Sequence, residues 1–569
     1  MPDIYNKEPF LAKEIRENIT MNSLSRPRRE SWFRWVAVLL LVPAFSFADP
    51  SVPEPLPPLS DRQRALHLLN RLTFGPRLSD LKHLSDVGID EFIREQLHPE
   101  TLNDSACEDE LKKYPVLTQS SRQLFQAYPR PKAAAREGRA GLEGPREVMK
   151  QLSQAKLIRL VRSERQLQEL MVDFWFNHFN VSADKGPEPW LIVPYERDVI
   201  RPHALGRFRD LLGAVAKSPA MLIYLDNALS TVDARYAPAE ELADIEKMEK
   251  RMSNRQAKRK KLGLNENYAR ELLELHTLGV DGGYTQKDVT ELARVLTGWS
   301  IDRPGPQHPD QDWEFKFRPR MHDGGDKVVL GHSYGHGGIE EGEQVLDMLA
   351  RHPSTARFIA RKLCRRFVSD DPPEALIDRV SQRFLETDGD IRETLLAIFQ
   401  SPEFFSPGNF RAKIKPPLEF IVSSLRVTEA RIIDPLKIVG ILNAMGEPLY
   451  LCQPPTGYPD RAQDWVNSGA LLQRMQFALM LLRSDVKSPA VVDVNEVVPE
   501  DGSHNGEEIL SRFFYLFLGG EVSASTRNVL ADRLKDPEIT EAVLDDPKKV
   551  FHARKLGALV LGSPDFQRR

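Results

Sequence analysis

Cysteine is nearly missing from this chain: Cys107, Cys364 and Cys452 are the three among 569 residues. At most one disulfide can form, so a disulfide-stapled scaffold is excluded, and so is a zinc site built on CxxC pairs. An excess of one charge is lacking too. Seventy-eight Lys and Arg oppose 82 Asp and Glu, for a net charge of −4, and no general nucleic-acid footprint follows. The sequence has no phosphate loop, dinucleotide fingerprint, EF-hand loop or HExxH. Nucleotide and flavin chemistry therefore have no recognisable seat. Long apolar runs are also absent. The longest covers 13 residues, Trp35 to Phe47, whereas a membrane-spanning helix needs roughly 20.

What is present is ordinary globular material: 41% apolar and 28% charged residues, enough to build a substantial core. The 42 prolines cluster between blocks. The length allows several domains or one large helical body with insertions.

The short apolar run reads as a secretory signal. Arg26, Arg28, Arg29 and Arg34 precede it, and Ser46-Phe47-Ala48 places small residues where a signal peptidase reads. Residues 1–48 are expected to be removed, with Met21 an alternative start, leaving an exported chain of net charge −6 with no transmembrane segment. The destination is the periplasm, the cell surface or the medium.

Residues 49–60 form a proline-rich leader. A main helical domain is expected over 61–485, with a charged insertion at 233–262 that ends in Lys258-Arg-Lys-Lys261. A polar linker at 486–506 and a small helical tail at 507–569 complete the chain. Periodicity predicts two helices over 61–100, turning at Phe74-Gly75-Pro76, and one long helix over 148–180. Strands are expected only at Asp312–Phe317 and Lys327–Leu330. The fold class is mainly α, a large multi-helix domain with a small β element near 312–332.

Four segments carry residue types that chemistry could use. In Gln168–Phe179, Leu167, Met171, Phe174 and His178 share one helical face, while Asp173 and Asn177 share another. His178 reads either as a core histidine with one hydrogen bond or as a metal ligand. In Leu264–Gly279, Asn265 suits an N-cap and Gly279 the position after a helix end. Asn267, Glu271, Glu274 and Leu278 form a stripe there, and Glu266 pairs with Arg270. Two carboxylates on one turn can hold a cation or raise each other's pKa, and they can equally make salt bridges to neighbouring helices.

In Arg318–Gly338, His322, Asp323, Asp326, His332 and His336 crowd a glycine-rich piece, a donor set suited to zinc, manganese or iron. The same piece contains Gly331-His-Ser-Tyr-Gly335, a formal GxSxG match, but no βαβ alternation supports a nucleophile elbow at Ser333. Cys452–Asn467 is a turn-rich loop bearing Tyr458 and Trp465, of the kind that lines clefts or covers cores.

The blocks LNRLTFGP (69–76), DFWFNHFNV (173–181), RPHALGRFRDLL (201–212), SPAMLIYLDN (218–227), LNENYARELLELHTLGVDGGYTQKDV (264–289), HPSTARFIARKLCRRFV (352–368) and PPTGYPD (454–460) occur in order. Over about 62–485 the chain resembles the bacterial "domain of unknown function 1800" family. The resemblance implies export and a gene that often lies beside one for a second uncharacterised, sulfatase-like exported family. It transfers no catalytic residue, because none is settled for the family. It also implies that the charged insertion is this member's own elaboration, between LDN and LNENYAREL.

Three functions follow as expectations. The first is an exported protein that binds or assembles with an envelope partner or polysaccharide, not with nucleic acid. The second is a metal-assisted hydrolase in which a divalent metal is held by His178, Glu274 and Asp323, with Glu271 and His322 catalytic. Asn177, Asp226, Asn267, Arg270, Lys327 and Tyr458 are the candidate ligand-binding residues. The third is a serine hydrolase on Ser333.

Overall fold

The architecture comes from a computed structural model that describes residues 56–131, 135, 138, 141, 143–233, 263–304, 310–483, 488–493, 506–535 and 547–569. The expected signal peptide, most of the leader, nearly all of the charged insertion and most of the linker lie outside these residues.

Helices dominate because apolar residues recur at helical spacing and the caps are in place. Ser60 accepts from the Gln63 N–H, and the Gln63 side chain returns the bond to the Ser60 N–H, opening helix Asp61–Leu72. Thr285, Asp390, Asp434 and Ser523 cap later helices in a similar way. The β structure is small, as expected. β1 (Trp299–Asp302) pairs antiparallel with β2 (Glu314–Phe317), β3 (Lys327–Val329) with β4 (His332–Tyr334), and β5 (Arg431–Ile432) with β6 (Ala490–Val491). Among the described residues no helix is long and apolar enough to cross a membrane.

Local expectations fail where tertiary contacts intervene. The region 61–100 holds three helices, because Gly88 at φ 87° splits Leu78–Val87 from Ile89–Leu97. The expected long helix over 148–180 is two, Pro145–Arg162 and Gln166–His178. Asp104 makes the break: its carboxylate accepts from Ser163 Oγ and from the Glu164 N–H, both at 2.8 Å. The two expected strands do not form one unit, since β2 finds its partner upstream in β1 and β3 pairs across a tight turn with β4.

One apolar core runs from Leu68 in the first helix to Phe566 near the end of the chain. Phe513 and Leu556 from 507–569 belong to it, so these C-terminal helices pack on the main body. Backbone bonds join Lys413 and Lys415 to Gln567 and Arg569 at 2.8–3.2 Å, which pins the last residues beside the 413–419 segment. At the other end, Arg426 is fully buried and donates to Gly75 O (2.7 Å), Val161 O (2.9 Å) and Asp80 Oδ2 (2.8 Å). Gly75 permits that approach: at φ 126° any Cβ would collide with Ser423. The Phe-Gly-Pro turn is thus fixed against helix Pro417–Val427.

Candidate functional site

The polar residues of Gln166–His178 open onto a cavity of about 90 Å³. This helix supplies Asp173 and Asn177, and Asn180 follows directly after it. Pro145–Arg162 supplies Lys156, Pro353–Phe367 supplies Arg366, and segment 413–419 supplies Lys413 and Glu419. The loop from Glu447 to Asp460 forms the opposite wall, and Arg569 closes one end.

Two asparagines hold that loop in place. Asn177 Nδ2 donates to Tyr458 O (2.9 Å), and its Oδ1 accepts from the Tyr458 N–H (2.7 Å). Asn180 Nδ2 donates to Cys452 O (2.9 Å) and Pro454 O (2.8 Å). The Tyr458 hydroxyl donates to Pro448 O at 2.7 Å. Gly457 sits at φ 73° against the backbone and side chain of Asn177, where a Cβ would collide, so the loop can seat only with glycine there. Asn177 and Tyr458, both singled out in the sequence, are therefore brought together.

The charges of the cavity are unevenly balanced. Lys156 Nζ lies 2.7 Å from Asp173 Oδ1, over the rings of Phe176 and Tyr450. Tyr450 donates from its hydroxyl to Glu196 Oε2 at 2.7 Å. Glu447 differs. One oxygen accepts from the Leu418 N–H at 2.8 Å, and among the described residues no ion pair includes this carboxyl. Burial pushes it up to about 8; the Leu418 N–H opposes this, and the negative charges of Asp173 and Glu419 reinforce it. The shift favours the protonated carboxyl, the form able to donate a hydrogen bond toward the cavity.

His178 turns away from this cavity into the core. Its Nε2 bonds His276 O at 3.1 Å, and because a carbonyl only accepts, Nε2 carries the proton. Nδ1 then accepts from Lys362 Nζ at 3.1 Å. Burial and the adjacent Lys362 hold both His178 and His276 below the usual imidazole range, His276 down to about 3. His276 lies in a π-helical segment, Leu272–Thr277, that continues helix Glu266–Glu271. His178 is a core histidine.

The expected metal site does not assemble. Among the described residues no three His, Cys, Asp or Glu side chains stand where they could hold one ion together. Glu274 accepts from the Tyr284 hydroxyl at 3.1 Å. Glu271 is half-buried, raised by burial and by Glu274. Asp323 is fully buried, with its two oxygens on Arg294 Nε (2.8 Å) and Nη2 (3.1 Å). Each expected ligand already has its own partner on a different element, which is the physical reason for the correction.

His322, Asp323 and Lys327 do come together, joined by Glu341. Lys327 Nζ donates to Glu341 Oε2 (2.7 Å) and to Asp323 O, and His322 Nδ1 bonds Thr297 O (2.9 Å). Against the upward pull of burial, His322 and Lys327 bring the Glu341 carboxyl down to about 2. Lys327 is wholly buried, so this is a closed knot that fastens the β3–β4 hairpin, not an open site. Of the other candidates, Arg270 bonds Gln286 Oε1 (2.8 Å) at the surface. The Asn267 N–H serves the Asn265 cap, and Asp226 pairs with Lys185 (3.0 Å). Asp226 also edges a separate, mostly apolar pocket of about 380 Å³. Ser333 lies mid-strand in β4, exposed, and helix Ile339–Ala350 begins only after a further turn, so no elbow exists.

Sequence reasoning missed Lys156, Glu447, Arg366 and Arg569. Lys156 had a signal, since it interrupts the face shared by Leu152 and Leu160. Glu419, inside the apolar run 417–427, had one too. Glu447 and Arg569 had none, because only long-range folding brings them to the cavity.

A family model described as "Protein of unknown function (DUF1800)" matches residues 67–568. No curated protein and no solved structure gives a significant match.

Proposed function

The chain belongs to the DUF1800 family of proteins of unknown function, and we propose that it is an exported protein whose cavity binds a polar segment of a cell-envelope polymer or partner. The observation that carries this reading is Glu447, a carboxyl with no ion pair among the described residues, facing a cavity in which Asp173 is paired with Lys156 and Glu419 with Arg366 and Arg569. A group left in that state offers a donor to an incoming hydroxyl or carbonyl. The aromatic rings of Phe176, Tyr450 and Tyr458 beside it supply apolar faces of the kind that pack on sugar rings. Export rests on the basic and apolar pattern at residues 26–48.

The metal-assisted reading loses support because its donors are dispersed and separately partnered. The serine reading loses support with the exposed mid-strand position of Ser333.

The test uses the chain from residue 49 and a panel of soluble envelope oligosaccharides, with binding followed by calorimetry. Saturable binding is expected, and Asn177→Ala, which frees the loop, should weaken it at least tenfold. Binding that Asn177→Ala leaves untouched would place the ligand elsewhere. Attaching residues 1–60 to a reporter active only outside the cytoplasm tests export, and a silent reporter refutes it.

A further inference from the structure

One side of this cavity holds more buried positive charge than its own carboxylates neutralise. Arg366, Lys413 and Arg569 line it and are 9%, 2% and 4% exposed. Arg71, fully buried, belongs to the same electrostatic cluster. Two side-chain carboxylates answer these four cations. Glu419 pairs with Arg366 and, at 2.9 Å, with Arg569 Nε, while Asp370 pairs with Lys413. The main-chain oxygen of Arg569 accepts from the Lys413 N–H (3.2 Å).

The shortage shows at individual donors. Arg71 makes one hydrogen bond, Nη2 to Asn409 O at 2.9 Å, and no ion pair among the described residues. Its Nε and Nη1 have no hydrogen-bond partner there, and neither does Nη1 of Arg569. A guanidinium out of water without a counter-ion is costly, and natural interiors rarely leave one so. Burial pulls Arg71 down to about 9, a further mark of the missing anion, and packs Lys415 against Phe566 with its ammonium held down to about 7.

We propose that this side of the cavity is an oxyanion subsite, in which Arg366, Lys413 and Arg569 take the carboxylate or phosphate of the bound polymer while Arg71 supplies charge from behind. The proposal rests on the reading above only for the ligand being a polymer. The shared chemistry is a tetrahedral or planar oxyanion, from a uronic-acid residue or from a phosphodiester. Guanidinium groups match both geometries, and the spare Nη1 of Arg569 is free to complete the match.

The test measures binding of inorganic phosphate, digalacturonate and neutral galactobiose to the chain from residue 49 at constant ionic strength set with chloride. Calorimetry and thermal melting are both read. One or both anions should bind saturably and raise the melting temperature; the better of the two identifies the source. Arg569→Gln should weaken that binding tenfold or more. Arg71→Met provides a control against misfolding. Removing an unbalanced buried charge should raise the melting temperature of the ligand-free protein while cutting the anion-induced rise by at least half.

No saturable anion binding, or an anion effect unchanged in both variants, overturns the subsite. Galactobiose binding without either anion overturns it while leaving the polymer reading intact. Phosphate binding with no oligosaccharide binding sustains the subsite and overturns the polymer reading.

Discussion

The knot around Lys327 and the cavity around Glu447 are built from the same residue types, yet they end in opposite states. In the knot the charges find their counterparts on the helices before and after one stretch of chain: Lys327 meets Glu341 of Ile339–Ala350, and Asp323 meets Arg294 of Gln286–Val295. In the cavity the charges arrive from six separate segments. They leave Glu447 without a cation and Arg71 without an anion. Saturation fixes a hairpin; incomplete saturation leaves capacity for a ligand. The cluster richest in histidine and aspartate in the sequence is therefore the structural one.

Breaking the knot should give the largest effect. Lys327→Met strands the Glu341 carboxylate in a dry interior, and about 3–5 kcal/mol of stability should be lost, read from denaturant midpoints. A loss below about 1 kcal/mol would show that water reaches this cluster and that it is not closed.

The cavity should respond with the opposite sign. The Glu447 carboxyl is raised in the fold, so its contribution is complete at pH 4.5 and below and is lost as pH rises toward 8. Glu447→Gln removes that loss. The variant should match wild type near pH 4.5 and exceed it above pH 8 by roughly 2 kcal/mol, a figure reduced for the open side of the cavity. Equal pH profiles for the two proteins would mean that Glu447 is already compensated.

The smallest effect belongs to Ser333. Ser333→Ala alters an exposed strand position, and stability should move by less than about 0.5 kcal/mol with ligand binding unchanged. A loss of binding there would move the site to the hairpin.

Much of the fold was legible. Helical spacing of apolar residues found most helices, Asn265 caps its helix by accepting from the Asn267 N–H, and Gly279 follows the end of the π-helical segment. The site was legible in part. Asn177 and Tyr458 stood out because a helix face and a turn-rich loop each mark themselves locally. Their mutual bonding across 281 positions did not. His178 misled because a histidine closing an apolar face looks the same whether it meets a metal or a backbone carbonyl.

By itself the sequence determined the helical character, the scarcity of β structure and the family, because each of these is written in neighbouring residues through periodicity, capping and motif order. Tertiary structure decided where the helix at 163–165 breaks, which strands pair, and which charges are satisfied. Those outcomes depend on partners far outside the local segment, such as Asp104 reaching Ser163 across 59 positions or Arg569 reaching Glu419. Electrostatic balance in a dry interior is a property of the assembled neighbourhood and of no single segment.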